Sequence, residues 1–133
     1  MNEILKKKNG ANFYKVDLHL HTPADFQFQR VENVNSNEKR KAFVKKYLNI
    51  VLQKELGIIA ITDHNNISWL LFFQELNQAE PFKHIIIFPG LEISSREGIH
   101  LLVLFEPGYP VVNIQNFLVK VGLENPFDGK RGI

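Results

Sequence analysis

Between Val16 and Thr22 apolar side chains alternate with a carboxylate and two imidazoles: Val16-Asp17-Leu18-His19-Leu20-His21-Thr22. With Phe13 and Tyr14 ahead of it, the run has the β-leaning composition and period-2 alternation of a strand, which puts Asp17, His19 and His21 on one face. A strand does not spend three successive same-face positions on such groups to fill a core, because buried polar groups must find partners. Two readings stay open. Either the histidines are solvated on a half-exposed strand, or they converge on a cation, neutral imidazole being the commonest ligand of zinc and related metals.

The length of 133 residues suits a single domain, 1–133, with a core of its own. An apolar fraction of 44% is ordinary for a folded unit. The absence of cysteine excludes disulfides and thiolate metal sites, leaving His, Asp and Glu as the strong protein ligands. Met1 to Lys8 is polar and basic without an apolar segment, so it reads as neither signal peptide nor membrane anchor, and no apolar run reaches the length of a span. A cytoplasmic address is the expectation. The formal net charge of +2 neither demands nor forbids a polyanionic partner. Its distribution says more: Lys6, Lys7, Lys8, Lys39, Arg40, Lys41, Lys45, Lys46 and Lys54 put most of the basic charge in the first part of the chain. A solvated helix face is the ordinary meaning of such a run, and nucleic-acid contact is the alternative.

Beyond the first strand, Thr22 to Asn37 reads as a long polar loop holding Asp25, which is either a turn former or a functional carboxylate. Ser36 or Asn37 can cap a helix running to about Leu56, with Phe43, Tyr47, Ile50, Val51 and Leu52 on its apolar face and Gly57 as its stop. Ile58 to Thr62 is a short continuous apolar run, as in a parallel strand covered on both faces. The unit is therefore β-α-β, and its second strand delivers Asp63-His64. A second helix is expected from Ile67 to about Asn77, opened by Asn65 or Asn66, and a third strand from Ile85 to Ile93; His84 lies at the end away from the expected site. A third helix is expected from Ile114 to Val121, capped by Asn113 and closed by Gly122. The tail, Glu124 to Ile133, shows turn signals only.

Ser95-Arg96-Glu97-Gly98 is a turn candidate, and Ile99 to Phe105 resumes a β pattern. An antiparallel hairpin centred on Arg96 would set Glu92 opposite His100. Opposed residues have Cβ atoms about 4.5–5.5 Å apart, close enough to share a metal.

Taken in order, Asp17-Leu-His19-Leu-His21-Thr, Thr62-Asp63-His64-Asn65, Gly90-Leu-Glu92 and Ile99-His100-Leu-Leu resemble the first motifs of the PHP family, named after polymerase and histidinol phosphatase. The resemblance spans Tyr14 to Phe105. It implies an α/β fold, the N-terminal half of a distorted (β/α)7 TIM-like barrel, with two or three divalent metal ions (Zn, Mn or Fe) at the C-terminal ends of the strands. By position, His19 and His21 match ligands of one metal, Asp25 and His64 ligands of another, Glu92 the bridging carboxylate and His100 the histidine after it. Asp63 then orients a ligand or water as a catalytic group beside Glu92, and Asp17 supports a neighbour by hydrogen bond. The family also carries a late Asp-x-His pair, and no histidine follows His100 here. The chain accordingly reads as a truncated PHP domain with exposed sheet edges, expected to pair as a homodimer.

The implied activity is hydrolysis of a phosphomonoester or a nucleic-acid phosphodiester by metal-activated water, without a thiol or serine nucleophile. Two rivals stand beside it. One is a non-catalytic PHP-like module that binds metal or a partner within a larger protein. The other is a nuclease domain fused to an ATPase, which the basic helix favours.

Overall fold

The computed structural model describes residues 13–28 and 34–123. Expectations for Lys6 to Lys8 and for the tail Glu124 to Ile133 lie outside the described residues. The chain forms a curled four-stranded sheet, order β1-β2-β3-β4, with β1 at Lys15–Leu20, β2 at Leu56–Ile61, β3 at Ile86–Ser94 and β4 at His100–Leu104. Three helices accompany it: α1 (Asn37–Gln53), α2 (Leu70–Leu76) and α3 (Val111–Lys120). β1, β2 and β3 run parallel, and β4 returns antiparallel to β3. Among the described residues no helix is long and apolar enough to cross a membrane.

One hydrophobic cluster joins the helices to a single side of the sheet. Val44, Leu48 and Val51 of α1, Leu70 and Phe73 of α2, and Ile114 and Leu118 of α3 pack with Ile59 and Ile61 of β2 and Ile87, Leu91 and Ile93 of β3. The odd positions of β2 and β3 therefore face the helices, as period-2 alternation requires. Gly90 and Glu92 are left for the opposite side. Gly90 is there because β4 comes so close: a Cβ on it would stand 2.8 Å from the Val103 carbonyl oxygen and 2.8 Å from a Leu104 methyl.

Several boundaries differ from the sequence-based expectation. Ser36 caps α1, its hydroxyl accepting the Lys39 N–H at 3.3 Å, but the helix stops at Gln53. Glu55 takes the left-handed conformation at φ 57°, and Gly57 is already within β2. The buried stripe of α1 is Val44, Leu48 and Val51, whereas Ile50 is half exposed. α2 starts only at Leu70, because Asn66 accepts the Ser68 N–H and holds the lead-in as a turn. α3 begins at Val111, directly after Pro110, and Gly122 follows it at φ 100°. Pro is well placed at such a start, since it has no N–H to leave unbonded.

Two corrections bear on the site. In β1, Asp17 pairs with Ile59 but Leu20 with Ile61, so β1 holds one residue more than its partner and the alternation slips. Asp17 lines a cavity beside Tyr47 and Val51 of α1 rather than sharing a face with His19 and His21. In the hairpin, Ser94 pairs with His100 and Glu92 with Leu102, so the turn centres on Glu97, not Arg96. Gly98 at φ 84° supplies the left-handed residue, and the Ser95 N–H donates to the Ile99 carbonyl at 2.9 Å.

Candidate metal centre

The rim at the C-terminal ends of β1, β2 and β3 gathers the chemistry. His19 lies near the end of β1, and His21 just past it, where the Tyr47 hydroxyl of α1 donates to the His21 carbonyl at 3.3 Å. The following turn is pinned from beneath. Thr22, wholly buried, donates both its N–H and its hydroxyl to the Asp63 carboxylate, each at 2.6 Å. Asp25 then folds back over the rim, its Oδ1 accepting the Gln27 N–H and its Oδ2 the His64 N–H, both at 2.8 Å.

After β2 the chain turns through Asn65, at φ 46° in the left-handed region that Asn tolerates better than most residues. The Asn65 amide braces this bend against β3: it accepts the Ser94 N–H at 3.1 Å and donates to the Ser94 carbonyl at 3.3 Å. The Glu92 N–H donates to the Asp63 carbonyl at 3.1 Å and the Asn65 N–H to the Glu92 carbonyl at 3.0 Å, which extends parallel pairing to a bridge between His64 and Glu92. This backbone ladder sets His64 beside Glu92.

Glu92 is the hub. Its Oε2 lies 2.8 Å from His19 Nε2, 3.2 Å from His64 Nε2 and 3.5 Å from His21 Nε2, and its Oε1 lies 2.5 Å from His100 Nδ1. His100 reaches it diagonally, two pairs along from the directly opposed Leu102, a span that long side chains cover. The rings of His21 and His64 stack nearly parallel with centroids 5.0 Å apart. Asp25 Oδ2 lies 2.7 Å from His64 Nδ1 and 2.8 Å from His21 Nδ1.

These side chains form three overlapping groups whose ligand atoms lie within 4.8 Å of one another: His19, His21 and Glu92; His21, Asp25 and His64; His64, Glu92 and His100. Two observations test whether a cation fits. His21 Nδ1 is buried and has no hydrogen bond, although a carboxylate oxygen stands beside it. Ring nitrogens also face one another, His19 Nε2 to His21 Nε2 at 3.1 Å and His64 Nε2 to His100 Nδ1 at 3.3 Å. Zinc–nitrogen bonds of about 2.0–2.1 Å in a tetrahedron put neighbouring donors about 3.3 Å apart. The donor spacing matches, and buried His, Asp and Glu groups here could hold a metal ion.

The electrostatics agree. Burial opposes ionisation of Glu92, but its contacts with His100 and His19 and the nearby His64 hold its carboxyl below the usual range. Burial likewise opposes ionisation of Asp25, and the His64 and Gln27 N–H donors outweigh it, again leaving the carboxyl low. Burial lowers the His21 pKa; Asp25 and Glu92 pull it up, and His64 and His19 push it further down. The centre thus offers ionised carboxylates and a neutral imidazole, the protonation states that metal binding needs.

Of the residues singled out from the sequence, His19, His21, Asp25, His64, Glu92 and His100 come together here. Asp63 stands behind them, both carboxylate oxygens engaged by Thr22 and its Oδ1 3.9 Å from His21 Nδ1. Burial pushes its pKa up to about 7, against the Thr22 hydrogen bonds that favour the charged form. Asp17 accepts the His19 N–H at 3.2 Å and so steadies the backbone of that residue. His84 lies elsewhere, against Glu80. Thr22, Tyr47 and Asn65 had no assigned part in the site, and their bonds to Asp63, His21 and Ser94 now give each one. A threonine directly after the histidine pair and an asparagine directly after Asp63-His64 were the visible signals. No protein-family model matches the chain, and no curated protein matches it.

Proposed function

We propose that this chain carries the ligand cluster of a metal-dependent phosphoesterase that hydrolyses a phosphomonoester with water as nucleophile. The observation that carries the reading is Glu92, one carboxylate within 3.5 Å of ring nitrogens from His19, His21, His64 and His100. A carboxylate shared among so many imidazoles suits a ligand that bridges cations, and resemblance to the PHP family supports the same role. The three parallel strands with helices between them are compatible with the first half of a (β/α)7 barrel.

His19, His21 and Glu92 would hold one divalent ion, and Asp25 with His64, or His64 with Glu92 and His100, would hold others. Zinc, manganese or iron suits this nitrogen and oxygen donor set. When bound, such ions supply Lewis acidity and a nucleophilic water at neutral pH. The residues do the rest. Asp25 and Glu92 bring the negative charge that offsets the cations. His19 and His100, with side chains 49% and 40% exposed, leave one side open to an incoming ester. Asp63 and Thr22 hold the turn from which Asp25 projects.

A second reading is a non-catalytic metal-binding module, because the three donor groups would hold a cation whether or not a water is activated on it. Hydrolysis of an aryl phosphate by the purified chain, with manganese or zinc added, separates the two. Turnover that disappears in a His19→Ala, His21→Ala variant supports the hydrolase. Stoichiometric metal binding with no turnover in any metal supports the module.

A further inference from the structure

We propose that Phe26 determines which phosphoesters this centre accepts: with Leu102 it supplies an apolar wall on which a planar, unsaturated ring of the substrate's organic group stacks. The inference rests on the phosphoesterase reading and names its substrate class.

Phe26 is 52% exposed, yet its ring centroid lies 5.0 Å from that of His64, tilted by 52°. The ring thus touches a ligand histidine while about half of it faces solvent. Its backbone is held in place by the turn around it. The Asp25 N–H donates to the Thr22 carbonyl at 2.9 Å, the Phe28 N–H to the Asp25 carbonyl at 3.1 Å, and the Phe28 ring packs on Phe43 with centroids 6.0 Å apart. An aromatic ring presented on a fixed turn binds a partner with little ordering cost.

Leu102, 47% exposed, is the cross-strand partner of Glu92, and directly opposed residues project from the same face of a sheet. Apolar surface therefore adjoins the cluster from two elements, the turn after β1 and strand β4. Among the described residues, every ion pair made by Asp25 and Glu92 is with a histidine. Among the described residues the cluster carboxylates thus pair with imidazoles alone, and beside the half-exposed rings of His19 and His100 the side chains of Phe26 and Leu102 add exposed apolar surface. A ring gains contact there; a polyhydroxylated sugar phosphate does not.

The test compares kcat/KM of the metal-loaded chain on adenosine 5′-monophosphate, phenyl phosphate, ribose 5-phosphate and glycerol phosphate. The two ring-bearing esters distinguish a nucleobase from a simple aryl group. Wild type is expected to favour them over the sugar and glycerol esters. Phe26→Ala is expected to lower the ratio of adenylate to ribose phosphate about tenfold, chiefly through KM, which is the scale of one stacking contact. Phe26→Tyr should keep the ratio. Equal use of all four esters by wild type, or parallel losses in Phe26→Ala, overturns the proposal. If no ester is hydrolysed, the phosphoesterase reading fails, and equilibrium dialysis with zinc still decides on the wall. Tighter retention of adenylate than of ribose phosphate, reduced in Phe26→Ala, supports it; equal retention overturns it.

Discussion

Asp25 Oδ2 lies 2.8 Å from Nδ1 of His21, and no hydrogen bond joins them. The same oxygen accepts the His64 backbone N–H at 2.8 Å and approaches His64 Nδ1 at 2.7 Å. A buried ring nitrogen without a hydrogen bond is costly, and a cation between it and the carboxylate removes that cost. Asp25→Asn keeps the shape but loses the charge. It is expected to weaken zinc binding at least about tenfold, the scale found when groups around a metal are altered. Calorimetric titration with zinc measures this, with circular dichroism to show that the fold persists. Unchanged affinity would remove Asp25 from the ligand set.

Gly90 controls the approach of β4. An added methyl would meet the Val103 carbonyl at 2.8 Å, and backbone cannot swing aside as a flexible side chain does. Gly90→Ala is therefore expected to cost about 1–3 kcal/mol, the usual scale of overpacking. Because β4 also carries His100, pushing the strand away separates His100 from Glu92. Urea unfolding and zinc titration should both register the change. A variant as stable as wild type, with equal zinc affinity, would mean that the two strands are not this close.

Asp63 makes stability depend on pH in a direction opposite to that of most carboxylates. Burial pushes its folded pKa to about 7, far above its ordinary 3.8. Below about pH 4 both states hold the proton. Between there and pH 7 only the folded state keeps it, so the contribution is full in acid and is lost as pH rises through 7. The whole loss is roughly 4 kcal/mol. Asp25 and Glu92, whose pKa values are lowered, work the other way at more acid pH, so the informative quantity is a difference. In chelator, Asp63→Asn should gain on wild type between pH 5 and pH 8 in urea unfolding. Parallel behaviour of the two proteins excludes the effect.

The order of the elements was legible because its signals are local. Ile58 to Ile61 is too apolar and too short for anything but a covered strand, and Ser36 marks the start of α1 through a bond it makes to a residue three positions on. The register was not legible. The extra residue between Asp17 and Leu20 changes which side chains share a face, and nothing in the alternation of Val16 to His21 reveals it. The hairpin shifted for a similar reason: Gly98, not Arg96, takes the left-handed position, and the centre of the turn follows it. The supports of the site were hidden for another cause. Thr22 and Asp63 are 41 residues apart, and their pairing depends on two strands lying side by side. Polar residues of that kind declare themselves only when the ladder brings them together.

Metal should stabilise the fold, since the ligands come from β1 and the turn after it, the end of β2, and both strands of the hairpin. A ligand bound only by the folded state adds about 2.7 kcal/mol at a hundred times its dissociation constant. For a chain of 133 residues that is a rise of roughly 5–10 °C in the unfolding temperature. Glu92→Gln removes the shared charge while nearly preserving the shape, so the variant should fold without metal yet lose most of the rise. Thermal unfolding of both proteins with and without saturating zinc reads the difference directly. Equal shifts would mean that zinc binds elsewhere on the chain, and that Glu92 holds its four histidines by hydrogen bonds alone.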